Sequence, residues 1–333
     1  PSTMGRQHND AFLYSIFDSF YVLFVKFWLN HGDFKPCGST CCQALVVDGN
    51  QKLRRRICFD KTNTISTAEM PFIKVGCDRT PLYGSLYCSA HLPQQPASVN
   101  TKNDDNNHPV RASEVNTNSI INEKNLRTKK ILIQHEAISC STLKKMPNEY
   151  VDKCMRSFGI VVYVTNCNVV VAFTEIFRSE TIKEILNGLI SIVNISPSLP
   201  PCIVYDDACH LVRRLIDGQI NGEFNITPAL LYLNKKTFNI DRMHISNHKD
   251  KWCRKHLDPA NNPLLTNINT ESCEQLFSWT NGYATSFTNM NASRCRMMLL
   301  FTFHLRNCFL KKINPHEFNI GKPVVTKNRP LVI

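Results

Sequence analysis

A mixed α/β fold follows from three features of this 333-residue chain. Two runs of β-branched and aromatic residues, FGIVVYVTN and NVVVAFTEIF, meet at a polar turn near Asn166 to Asn168, as the strands of a hairpin do. The next segment, SETIKEILNGLISIV, spaces its apolar residues helically behind a Ser179 cap. Pro200 and Pro201 then stop the chain before CIVYDD, which reads as a buried strand running into two acids. Hairpin, helix and strand in this order predict a mixed sheet covered by helices.

In chain order, residues 1–36 are dominated by an apolar and aromatic stretch from Ala11 to Leu29. Its length suits a membrane span, but Asp18 and Lys26 interrupt it and no topogenic flank accompanies it. The expectation is an amphipathic helix packed on the core or on a partner, with no membrane involved. Within residues 37–92, ALVVDGNQKLRRRIC at 44–58 has an apolar strand that ends in Asp48 and turns through Gly49 into a basic second strand. A cysteine-rich module follows. Residues 93–145, rich in Asn, Pro, Ser and Thr, read as a linker or partly disordered insertion. Residues 146–312 hold the hairpin, the helix and the later acids, and residues 313–333 form a tail. Within them RCRMMLLFTFHLRNCFLKK is apolar on much of its circumference and ends in lysines suited to a helix C-terminus, so the C-terminal part is expected to be helical and packed in the core.

Composition narrows the function classes. Lys plus Arg exceed Asp plus Glu by 39 − 27 = 12, and 43% hydrophobic residues suffice for a packed core. The excess positive charge suits a polyanion such as DNA, although single clusters such as Arg54 to Arg56 or Arg127 to Lys130 are ordinary solvated faces. The 15 cysteines are odd in number, and no cleavable signal accompanies them, which argues against a secreted disulfide scaffold and for a soluble intracellular protein. No internal repeat, Gly-rich phosphate loop or Ser/His/Asp arrangement is present.

Carboxylates carry the first chemical reading. Asp48 and Asp206 each end an apolar strand, and Glu274 opens the apolar helix CEQLFSW, with Asp207 and Glu271 as neighbouring alternatives. Singly, acids at such ends are ordinary caps and turn formers. Together they fit a three-carboxylate centre for Mg²⁺ or Mn²⁺, hard ions that take oxygen ligands. Two such ions about 3.5–4 Å apart can clamp the attacking and leaving oxygens of a phosphodiester. A catalytic protein must bring all three acids round one cavity.

Thiols and imidazoles carry the second. Cys88 and His91 form a Cys-x-x-His pair, Cys77 lies a short loop upstream, and Cys58 completes a tetrahedral Zn²⁺ set. Cys37, Cys41 and Cys42 are candidates to replace Cys58 or to begin a second site. Between the second and third acids, His244, His248, Cys253 and His256 are dense enough for another structural zinc, with Cys209 as a further ligand. The rival reading makes this a basic helix whose Lys249, Lys251, Arg254 and Lys255 touch phosphates. Trp279 can stack on a base, but beside Leu276 it reads first as core.

These motifs resemble those of Kyakuja-Dileera-Zisupton (KDZ) transposases. YDDACHL is similar to the family's Tyr-Asp-x-Ala-Cys signature, VVDGNQKL to its first-aspartate motif, DRMHISNHKDKWC to its His- and Cys-bearing segment, and CEQLFSW to its glutamate helix. The resemblance covers most of residues 37–312. It implies a ribonuclease H-like mixed sheet with a zinc-binding cysteine-rich insertion, and a DDE-type centre of Asp48, Asp206 and Glu274. It also implies a DNA partner, a homo-oligomer and a nuclear location. Asp241 and His244 match an Asp-x-x-His spacing similar to that of related transposase groups. KDZ proteins are usually much longer, so the resemblance, with Pro1 at the start, implies a fragment, a decayed copy or a domesticated relative. The alternative function is a domesticated, non-catalytic zinc module that binds DNA or protein, its acids relics.

Overall fold

The computed structural model describes residues 3–92, 140–142 and 146–315 and two short terminal strands at 325–326 and 329–330. Apart from residues 140–142, the linker expected at 93–145, with Arg127 to Lys130, and most of the tail lie outside the described residues. The strands are β1 (Ala44–Asn50), β2 (Thr64–Ile65), β3 (Ile73–Lys74), β4 (Gly159–Thr165), β5 (Val170–Ile176), β6 (Cys202–Tyr205) and β7 (Thr237–Asn239). Five of them form one mixed sheet in the order β5-β4-β1-β6-β7. β1 pairs antiparallel with β4 and parallel with β6, and β6 pairs parallel with β7.

The sheet's hairpin is the one expected from sequence. β4 and β5 pair antiparallel, and Asn168 takes the left-handed φ of 64° that Asn tolerates in a turn. All seven residues of β4 are buried, because helices cover both faces of the sheet and a strand so placed needs apolar groups on both sides. On one face Tyr163 lies under the helix Ile182–Ile195, so close that a Cβ on Gly188 would meet its hydroxyl. On the other, Phe173 packs edge-on against Tyr21, Phe24 and Phe303 from the N-terminal helix Thr3–Leu29 and the C-terminal helix Ala292–Lys311. Fully burying each of these rings contributes about 1.5–3 kcal/mol.

Three expectations change. β1 does not turn at Gly49 into a basic second strand. It continues to Asn50, and its antiparallel partner is the distant β4. Residues 51–58 instead serve the core: Arg55 is fully buried, its guanidinium paired with Glu175 at 2.6 Å and donating to the Asp78 carbonyl at 2.6 Å. A guanidinium committed to these partners is a structural group and not a phosphate contact. The helix after the hairpin is capped by Thr181, which accepts from the Glu184 amide, and not by Ser179.

The N-terminal helix buries its end more than one side. Phe24, Val25, Trp28 and Leu29 are at most 3% exposed, whereas Phe12 and Tyr14 are more than half exposed. By length and composition His8–Leu29 could cross a membrane, but its last turns are locked in the core, where Trp28 donates to His304 of the C-terminal helix. Because β1 comes from residues 37–92 and its neighbours from 146–312, these two stretches share one sheet.

Candidate metal centre at the ends of the central strands

The parallel register of β1 and β6 fixes the first two acids. Val47 is the Cα partner of Tyr205, so the residues that follow, Asp48 and Asp206, leave adjacent strands side by side. Each folds back on the next residue, Asp48 accepting from the Gly49 amide at 2.7 Å and Asp206 from the Asp207 amide at 2.7 Å. Glu274 arrives on the helix Ser272–Thr280, which the Cys273 thiol ties to β1 by donating to the Val46 carbonyl. Asp48, Glu274, Glu271, Asp241 and His244 line one narrow cleft with Tyr205. Asp206 thus stands beside Asp48 on the neighbouring strand, and Asp48 and Glu274 share this cleft.

The structure also separates the alternatives. Asp207 accepts from Thr142 at 2.5 Å and sits at the start of the helix Ala208–Ile220, whereas Asp206 acts directly on Asp48. Glu271 accepts from Thr270 at 2.7 Å; Glu274 projects from the first helical turn with its side chain exposed.

A fourth carboxylate was not visible in the sequence. Glu180, at the exit of the hairpin, accepts from the Tyr205 hydroxyl at 3.0 Å and lies against Gly49, where any Cβ would run into its carboxylate oxygen. Gly49 is thus a glycine because an acid occupies the space of its side chain. The only local signal was Glu180 beside a helix start, which many solvent-facing glutamates share.

These acids repel one another. Burial, then the charge of Asp206 and that of Glu180, holds the Asp48 carboxyl well above the ordinary range. Burial, then Asp207, pushes Asp206 up to about 6, and burial, then Asp206, pushes Glu180 up to about 7. Like charges crowded in a partly dry cleft favour protons or cations. One cation is built in: the hydrogen bond to Asp241, at 2.8 Å, raises His244 to about 9, with Asp206 and Asp48 contributing. The oxygen-only donor set of Asp48, Asp206 and Glu274 fits Mg²⁺ or Mn²⁺.

The sulfur ligands lie elsewhere. Cys58, Cys77, Cys88 and His91 come together, with their donor atoms all within 4.8 Å of one another. Cys77 and Cys88 sulfurs are 3.9 Å apart, and the His91 Nδ1 is 3.5 Å from both Cys58 and Cys88. Around a tetrahedral zinc, with bonds of about 2.3 Å to sulfur and 2.0–2.1 Å to nitrogen, sulfurs stand about 3.8 Å apart and sulfur and nitrogen about 3.5 Å. Asp60 lies 3.1 Å from the other ring nitrogen of His91, the partner that fixes a ligand's tautomer.

A second cluster joins Cys140, Cys209, His248 and Cys253. His248 and Cys253 were expected as ligands and Cys209 as a further one. Cys140, which sequence reasoning missed, is 3.3 Å from the His248 Nδ1. It lies within the stretch expected as a linker, far in sequence from the other three ligands, so no spacing rule reaches it. His244 does not join this group. Its ring is turned to Asp241 and the acid cleft, which corrects its expected role as a zinc ligand. Trp279 also differs from expectation: it is 36% exposed, with the Arg306 guanidinium stacked on it and Tyr283 beside it. Lys249, Lys251, Arg254 and Lys255 are exposed around the second cluster, so a basic face and a ligand set coexist there.

Among comparisons with known proteins, the family model described as Kyakuja-Dileera-Zisupton transposase matches residues 43–307. Neither the curated proteins nor the solved structures give a match.

Proposed function

Because the chain belongs to the Kyakuja-Dileera-Zisupton transposase family, we propose that it is a transposon-derived, DDE-type DNA-cleaving and strand-transfer protein, built on a ribonuclease H-like sheet and acting in the nucleus. The observation that carries this reading is the β1–β6 register, which brings Asp48 and Asp206 side by side, with Glu274 lining the same cleft. The mixed five-stranded sheet supports the fold assignment, and the charge of +12 supports a DNA partner.

Asp48, Asp206 and Glu274 would hold Mg²⁺ or Mn²⁺, which when bound supplies stabilisation of the attacking and leaving oxygens of a phosphodiester. The protein's own groups do the rest. Asp241 keeps His244 protonated at neutral pH, so the imidazolium can donate to a phosphate oxygen or give a proton to the departing 3′ oxygen. Glu180 and Tyr205 buttress the Asp48 and Asp206 strand ends. The Cys140, Cys209, His248 and Cys253 set would hold a structural zinc directly behind the second acid. Cys209 is in the first turn after Asp207, and Cys140 is two residues from Thr142, the donor to Asp207.

The test offers element-end DNA to purified protein in Mg²⁺ or Mn²⁺. Cleavage should fall by at least about 10²-fold in Asp206→Asn, as on losing one charge-stabilising group of a reaction centre, with DNA affinity retained. Cleavage that survives Asp206→Asn overturns the assignment. DNA binding without cleavage by the parent chain would instead support the non-catalytic zinc module.

A further inference from the structure

We propose that His31, Cys41, Cys42 and Cys167 form an additional zinc site, which staples the end of the N-terminal helix and the entry to β1 onto the β4–β5 turn. Their donor atoms all lie within 4.8 Å of one another, although they come from three separate segments of chain. The His31 Nε2 is 3.6 Å from the Cys41 sulfur and 3.5 Å from that of Cys42. Cys41 and Cys42 sulfurs are 3.7 Å apart, and Cys167 and Cys41 sulfurs 3.8 Å. These are the separations of ligands round a tetrahedral zinc, about 3.5 Å for nitrogen to sulfur and about 3.8 Å for sulfur to sulfur. They are far longer than the roughly 2.05 Å of a disulfide.

Three further features belong to a ligand set and not to packed thiols. His31 is buried, and its Nδ1 lies 2.7 Å from the Trp28 carbonyl. A carbonyl can only accept, so Nδ1 carries the proton and Nε2 presents its lone pair to the sulfurs, the orientation a metal-bound imidazole requires. Cys42 adopts a left-handed φ of 56°, a strained conformation that a non-glycine residue keeps only where its surroundings hold it there. The Cys42 amide donates to the Cys167 sulfur at 3.4 Å, as amides do to metal-bound thiolates. Three thiolates and one zinc leave one negative charge. The buried Lys311 of the C-terminal helix lies at this edge, donating at 2.6 Å to Cys37, itself 4.0 Å from the His31 Nε2.

The site is structural. It lies before β1, and Ala44 is already about 13 Å from Asp48 at about 3.3 Å per strand residue. Its bonds tie the end of the Thr3–Leu29 helix, which packs on the sheet through Phe17, Tyr21 and Phe24, to the turn that joins β4 and β5.

Metal content and thiol labelling test this. Protein purified with zinc and then dialysed should lose one zinc per chain in Cys167→Ser by elemental mass spectrometry, and should lose a different one in Cys88→Ser. The double variant should lose two. Unchanged zinc in a folded Cys167→Ser overturns the proposal. Labelling of the parent protein decides independently of how that variant folds. With zinc bound, iodoacetamide should modify the half-exposed Cys41, Cys42 and Cys167 at least about tenfold more slowly than the half-exposed Cys154, and a zinc chelator should abolish the difference. Labelling of Cys167 as fast as Cys154 in the zinc-loaded protein overturns the proposal.

Discussion

The two ends of β1 carry opposite coordination chemistry. In its C-terminal half, Asp48 stands beside Asp206 and shares a cleft with Glu274, and burial and crowding raise the affinity of Asp48 and Asp206 for protons. Just before its N-terminus, Cys41 and Cys42 join His31 and Cys167 in a set of soft donors whose spacing already matches a tetrahedral ion. One strand therefore separates a site that is electrostatically frustrated without its ion from one held in ligand geometry by the chain. The first arrangement costs stability, and under the proposed function it serves chemistry. The second contributes stability, because ligands preassembled from distant segments convert metal binding into folding free energy.

The largest expected effect follows from that contrast. Removing zinc with a strong thiol-compatible chelator should lower the melting temperature by about 10 °C or more, since a structural zinc contributes several kcal/mol and each kcal/mol shifts a domain of this size by about 2–4 °C. Exchange into magnesium-free buffer with zinc retained should lower the melting temperature less, and only where the pH leaves the crowded acids charged. Thermal denaturation under both conditions checks this, and equal sensitivity to the two metals would erase the distinction between the ends of the strand.

The next effect is in pH. Burial and mutual repulsion raise Glu180 to about 7 and Asp206 to about 6, so the folded protein binds more protons than the unfolded chain between about pH 4 and 7. Stability must therefore fall as pH rises through that window, on the order of 3 kcal/mol for Glu180 at about 1.4 kcal/mol per unit. His244, raised to about 9 by Asp241, acts in the same direction at higher pH: its contribution is complete below the ordinary histidine value and fades toward about 9. Denaturant titrations from pH 5 to 9 with zinc retained and no added divalent ion should show this decline. Mg²⁺ or Mn²⁺ should flatten it, as should Glu180→Gln with Asp206→Asn. A stability curve that rises over this range would contradict the crowded-acid description.

The sequence showed those parts of this arrangement that depend on local pattern. The hairpin was readable because β4 and β5 are continuous apolar runs around Asn166 to Asn168, and the buried β6 because prolines punctuate it. Asp48, Asp206 and Glu274 stood out as acids at the ends of apolar elements. What escaped was set by contacts between remote segments. Arg55 read as a surface charge because nothing near it names Glu175, 120 residues away. Cys167 sits in an ordinary hairpin turn, and only the fold brings it 3.8 Å from Cys41. His244 and His248 are four residues apart and identical in type, yet one faces carboxylates and the other thiols. Spacing alone cannot divide them, because a short 3₁₀ turn, Ile245–Asn247, rotates the chain between them.

The smallest effect probes how tightly the acid end is built. Gly49 follows Asp48 in β1, and its missing side chain leaves the space taken by the Glu180 carboxylate. Its φ is outside the left-handed region, so alanine meets no backbone penalty and acts only by displacing Glu180. Gly49→Ala should weaken Mn²⁺ binding about tenfold, the usual cost of losing a group that orients metal ligands, and should change stability by about 1–2 kcal/mol as the overpacked contact yields. The displaced carboxylate also loses the Tyr205 hydroxyl, so Tyr205→Phe should add little on top of Gly49→Ala. Glu180→Ala in the same chain should relieve the overpacking. A double-mutant cycle measured by Mn²⁺ titration and by denaturation separates the two terms. Independent, additive effects of Gly49→Ala and Glu180→Ala would mean that the two residues do not share one space, and Glu180 would then be a neighbour of the centre without a part in shaping it.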